Sequence, residues 1–133
     1  MFTIKTAKIA ATIMFAALPF AAYADGLTID NQTDFDSTSV LNNGACSTIL
    51  GADGITKAHT KKTVAPTKIR LACLGHWDNC KAVVYMTNNC SGPAVATTYF
   101  NVKTGVKKET IVNHSEKFTL DGDGFTATIK QNG

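Results

Sequence analysis

The chain's single tryptophan, Trp77, lies in the run Leu74-Gly75-His76-Trp77-Asp78-Asn79, framed by Cys73 and Cys80. An indole, an imidazole, a carboxylate and an amide so close together suit recognition better than any one reaction. Tryptophan offers a large rigid apolar face with one hydrogen-bond donor, and it is enriched among interface hot spots. A disulfide across the base of the loop would stiffen it, so less entropy is lost on binding. His76, Trp77, Asp78 and Asn79 are therefore the expected binding residues, facing a glycan, a peptide or a protein surface. The plainer expectation is that Trp77 folds back over the edge of the core, leaving His76 and Asp78 merely solvated.

Other groupings carry less chemistry. The histidines are His59, His76 and His114, and Ser47, Ser91 and Ser115 are available as nucleophiles. None of these serines lies in a G-x-S-x-G turn. His114, Ser115 and Glu116 are neighbours in sequence, whereas a triad is assembled by folding. No catalytic residue is assigned, and paired carboxylates for glycoside hydrolysis are not recognisable without the fold. Asp34-Phe35-Asp36 and Asp121-Gly122-Asp123-Gly124 cluster oxygens, but the twelfth position of a calcium loop falls on Ala45 or Asn132 instead of glutamate. Tight Asp-Gly turns account for them better. Lys57, Lys61, Lys62, Lys68 and Arg70 form a modest basic segment that could meet an anionic surface, or simply keep a loop and a strand face solvated. Asn31, Asn89 and Asn113 each open an N-x-S/T sequon, which matters only where the source glycosylates asparagine.

The four cysteines set the compartment question. Cys73, His76, Cys80 and Cys90 match no familiar zinc spacing. Two disulfides are the expectation in an exported chain. Export is read from residues 1–24. Lys5 and Lys8 precede an apolar run, and Ala22-Tyr23-Ala24 supplies a small-residue cleavage site. The apolar run is shorter than the roughly 20 residues a membrane span needs, and Pro19 ends it. Cleavage after Ala24 would take 24 of the 133 residues and leave 109, with 11 basic residues against 10 acidic ones. Near-neutral charge speaks against a nucleic-acid binder. Residues 25–133 suit one domain.

The elements that must hold the loop read as strands. Threonine and valine abound, and Gly, Asn and Asp punctuate the chain at short intervals. Period-two alternation marks residues 68–73, 117–120 and 125–130. Residues 82–86 and 94–102 are apolar on both sides and read as central strands. Weaker strands are expected at 27–30, 37–41, 47–50 and 106–112, and the polar stretch 52–63 reads as a long loop. No helical window stands out. About eight short strands imply a small antiparallel β-sandwich, with a partly closed barrel as the alternative.

Strand length then selects the disulfides. A strand from Cys80 toward Cys90 would separate these two by about 20 Å or more, beyond the reach of an S–S bond. If strands ending at Cys73 and starting at Cys80 form a hairpin, those two meet at its mouth. Cys46 is left for Cys90.

The expected function is a secreted or periplasmic bacterial binding module. It would recognise a glycan, an envelope surface or an extracellular protein through loops on a rigid scaffold. A role towards a host or competitor, and so in virulence, is one setting. The alternatives are an inhibitor of a secreted enzyme and a small hydrolase with a site not evident in sequence. No cofactor, metal, nucleic acid or stable membrane insertion after leader cleavage is expected.

Overall fold

Residues 26–132 are described by the computed structural model. The expected leader lies outside them. In chain order the described residues form β1 (Leu27–Asn31), β2 (Thr38–Leu41), a 3-10 segment (Ser47–Gly54), β3 (Thr60–Val64), helix α1 (Pro66–Ala72), β4 (Cys80–Tyr85) and β5 (Ala96–Asn101). There follow β6 (Gly105–Val106), a short 3-10 turn (Lys108–Thr110), β7 (Val112–Asn113), β8 (Phe118–Asp123) and β9 (Thr126–Gln131).

Two sheets result, as the turn-rich, β-branched sequence implies, and they do not close into a barrel. One has the order β3-β1-β9-β8; the other is β2-β4-β5-β6, with β7 also pairing β5. All pairings are antiparallel except β1 with β9, which run parallel. The alternation of β9 turns Ala127 and Ile129 inward and leaves Thr126 and Thr128 half-exposed. The core between the sheets falls into two clusters. At one end Leu27, Val64, Cys80, Ala82, Phe100 and Val102 meet Ile69 and Cys73 from α1. At the other, Val84, Met86, Ala96, Leu120, Ala127 and Ile129 pack together. Ile29 and Val106 touch both clusters.

Five expectations about elements are corrected. Residues 68–73 are not a strand but most of α1. Pro66 occupies the first turn, where its fixed φ suits a helix and its missing N–H is not needed. On a helix Ile69 and Cys73 share a face, so both are buried. Leu71, expected on their side, is 72% exposed. Residues 47–50 belong to the 3-10 segment, in which Gly51 takes φ 73° and breaks the regular geometry. Residues 52–63 are not one loop: their end enters β3, an edge strand carrying Lys61 and Lys62, charges that discourage further pairing. The expected strand at 106–112 is split by the 3-10 turn into β6 and β7. β4 and β5 are central, but each buries only alternate residues, because the outer face of their sheet carries no further layer.

Two side-chain devices join the parts. Asn31 is 1% exposed. Its Nδ2 donates to the carbonyl oxygens of Phe35 (2.7 Å), Thr56 (3.1 Å) and Lys57 (3.3 Å), and its Oδ1 accepts from the amide (3.0 Å) and hydroxyl (2.8 Å) of Thr33. Asn113, on β7, reaches across to β8. Its Oδ1 accepts from Leu120 N at 2.8 Å and its Nδ2 donates to Leu120 O at 3.4 Å. A side-chain amide thus stands in for a strand neighbour between the two sheets. These roles place the Asn31 and Asn113 amides inside the hydrogen-bonding of the fold. Asn89 is exposed.

Candidate functional site

The disulfides are Cys46–Cys90 and Cys73–Cys80. The pairing is the one strand length favours, but its hairpin premise fails, since Cys73 caps α1 instead of ending a strand. All four sulfurs are in S–S bonds, so Cys73, Cys80 and Cys90 have no thiolate to offer a metal. Cys73 and Cys80 are fully buried. They pin the loop between helix and sheet.

The loop itself is built from successive turns. His76 N donates to Cys73 O at 2.8 Å, and Asn79 N donates to His76 O at 3.1 Å. Trp77 O accepts from Val102 N at 2.9 Å, stitching the loop to the end of β5. Lys107 Nζ donates to Asn79 Oδ1 at 2.9 Å. Residues 74–79 all lie exposed at the end of the sandwich, so the structure keeps His76, Trp77, Asp78 and Asn79 on one surface.

Trp77 is 40% exposed and does not fold into the core. Its Nε1 donates to Arg70 O at 2.9 Å, and the Arg70 guanidinium stands 5.0 Å from its ring centroid. The ring is thereby held in place, with its polar atom satisfied and a cation against it. The sequence places Arg70 on a basic strand face. On α1 it belongs to the tryptophan instead.

Sequence reasoning missed the apolar neighbours. Leu71 (72% exposed) and Leu74 (61%) stand beside Trp77 at the tip of α1. Asn42 Nδ2 donates to Leu74 O at 3.4 Å, bringing the turn after β2 alongside. From there the 3-10 segment contributes Ile49, which is 73% exposed. Ile49 and Ala72 line one hollow of about 100 Å³ with Leu41, Ala45 and Leu50. The signal that could have found Leu71 was Pro66: with a helix begun there, Ile69 and Cys73 take the buried face and Leu71 falls opposite.

The remaining candidates are placed elsewhere. His59 Nε2 lies 2.6 Å from Asp34 Oδ1 in an exposed ion pair, and Asp36 Oδ1 accepts from Ala58 N at 3.1 Å. Asp121 and Asp123 are exposed residues of β8, and Gly124, at φ 58°, opens the tight turn that Asp123 and Thr126 close towards β9. His114, Ser115 and Glu116 line an open cleft with Met86, Pro93 and Phe118. There His114 Nε2 meets Thr97 Oγ1 at 3.0 Å and Ser115 Oγ accepts from Lys117 N at 3.0 Å, so the two are directed apart. The basic segment divides. Lys57 and Lys61 are exposed. Lys62 (3.6 Å) and Lys68 pair with Asp53 of the 3-10 segment. The hydrogen bond and charge of Lys68, aided by Lys62, hold the Asp53 carboxyl below its ordinary value. Among the described residues no group of three or more His, Cys, Asp or Glu side chains could hold a metal ion.

A small two-sheet protein closed by two disulfides, with Leu71, Leu74 and Trp77 exposed at and beside one stapled loop, belongs to the class of small disulfide-bonded β proteins. The family follows from comparison. The family model described as T2SS substrate NttC matches residues 1–133, and the chain belongs to that family. A solved relative is the type II secretion system substrate NttC of Legionella pneumophila. It is 25% identical, with a TM-score of 0.66, over 81% of this chain and 98% of that one. No curated protein gives a significant match. The chain is thus a secreted protein of a class that leaves through the periplasm. No helix of the described residues is long and apolar enough to cross a membrane.

Proposed function

We propose that the secreted chain is a binding module whose docking surface is the end of the sandwich formed by the 74–79 loop, the tip of α1 and the neighbouring 3-10 segment. The observation that supports this best is the exposure of Leu71, Leu74 and Trp77 within one short stretch of chain, with exposed Ile49 joined to α1 through the hollow it shares with Ala72. Soluble proteins expose single apolar residues freely, but a rimmed apolar patch marks an interaction site. The covalent and hydrogen-bonded bracing of the loop lowers the ordering cost on binding.

The partner we infer is a cell envelope or an extracellular protein surface, ahead of a free glycan. Sugar recognition relies on precisely placed polar groups that fix orientation. Here the Asn79 amide oxygen is engaged by Lys107 and the indole N–H by Arg70 O, which leaves the exposed His76 and Asp78 as the polar side chains flanking the ring, beside exposed Leu71 and Leu74.

Titration of Trp77 emission with isolated cell envelopes and with soluble polysaccharide tests the reading. A blue shift with envelopes is expected, and its loss in an L71S/L74S double variant. A shift with polysaccharide alone would transfer the function to the glycan reading. A shift unaffected by the two leucines would move the docking surface elsewhere.

A further inference from the structure

We propose that this end adsorbs reversibly to an anionic phospholipid bilayer, an assignment that rests on its reading as the docking surface. The shape of the patch argues for lipid. Leu71, Leu74 and Ile49 are 72%, 61% and 73% exposed, so they stand out from the surface. Protein hot spots are anchors sunk in well-packed pockets. Protruding Leu, Ile and Trp side chains instead enter the boundary between headgroups and acyl chains. Trp77 meets the demand of that boundary: its N–H is already bonded to Arg70 O, and its ring is the kind that settles at headgroup depth.

Charge points the same way. Arg70 lies against the Trp77 ring. Lys107 is fastened to Asn79. Lys103 directly follows Val102, whose amide bonds Trp77 O. Against these three cations the loop itself sets one carboxylate, Asp78. The carboxylate of Asp53 is paired with Lys62 and Lys68, and a second exposed carboxylate, Asp123, precedes Gly124, whose carbonyl accepts from Val106 N. Cations around an apolar tip are complementary to an anionic leaflet. Adsorption would be interfacial, since no helix of the described residues could span.

Trp77, as the one tryptophan in the chain, reports its own environment. The full secreted chain is mixed with phosphatidylcholine vesicles and with phosphatidylcholine–phosphatidylglycerol vesicles. A blue shift is expected with the mixed vesicles, fading as salt rises from about 0.05 to about 0.5 M. L71S/L74S should partition at least about 10-fold more weakly, as expected for losing apolar contact with the acyl boundary. K103E, which leaves the Lys107 bond to Asn79 and the apolar tip intact, should weaken the preference for mixed vesicles at least about 3-fold. No shift, equal binding to uncharged vesicles, or wild-type partitioning by either variant overturns the proposal. If vesicles fail while envelopes still shift Trp77 through Leu71 and Leu74, the lipid assignment falls and the docking surface stands. If both fail, both are wrong.

Discussion

Asn31 and Asp53 show how single side chains fix the loops of this protein, and why they do so differently. Asn31 is buried, and its amide ties three carbonyl oxygens to the amide and hydroxyl of Thr33. Replacing it by alanine removes these bonds, but each carbonyl keeps a second donor, so the cost should be about 1–2 kcal/mol. Urea unfolding of N31A should show that loss; a change under about 0.5 kcal/mol would mean that water replaces the amide. Asp53 is half-exposed, and its pairing is a matter of charge. Its carboxyl titrates below the ordinary value because of Lys68 first and Lys62 second. A carboxyl depressed in the folded state stabilises fully above its unfolded value, and the contribution disappears as pH falls through the folded value. D53N should therefore be slightly less stable than the parent near pH 6, and the two should converge below about pH 3. Thermal unfolding at both pH values checks the sign.

The helix and the two staples carry the lesson about legibility. β9 was readable because its alternation of Thr with Ala127 and Ile129 matches a surface that is wet on one side only. α1 was not, because seven residues are too few for helical and strand periods to separate. Ile69, Leu71 and Cys73 satisfy a period of two as well as they leave a helical gap. The 3-10 segment hid in the same way, since Ile49 and Leu50 look like strand residues until Gly51 breaks the backbone. The candidate loop was legible from composition, with its tryptophan between two cysteines. Its apolar surroundings were not, because Leu71 reaches the surface only if residues 66–72 coil. The staples also differ in reach. Cys46–Cys90 closes 44 residues and Cys73–Cys80 closes 7. On loop entropy alone, C46A/C90A should cost about 4 kcal/mol and C73A/C80A about 2 kcal/mol. The second change should also loosen the loop. Denaturant midpoints and Trp77 anisotropy measure the two effects; equal losses with an unchanged Trp77 would refute the stapling role.

Taken whole, the molecule is a pair of sheets with unlike ends. At the end with Leu120, Ile129 and Met86, half-exposed Phe35 meets the ring of Phe118 edge to face at 5.7 Å. The other is capped by α1 and exposes Leu71, Leu74 and Trp77. Covering both ends by burying those side chains would have been the stable solution. Leaving one apolar tip in water, braced by a disulfide, is the arrangement expected of a surface meant to be covered after secretion.

Hydroxyl-radical footprinting of the secreted chain, alone and bound to isolated cell envelopes, tests that claim most directly. Side-chain labelling at Leu71, Leu74 and Trp77 should fall sharply on binding, while Phe35 and Val112, also exposed, keep their free reactivity. Protection centred on Phe35 and Phe118, with Trp77 still labelled at its free rate, would contradict the account.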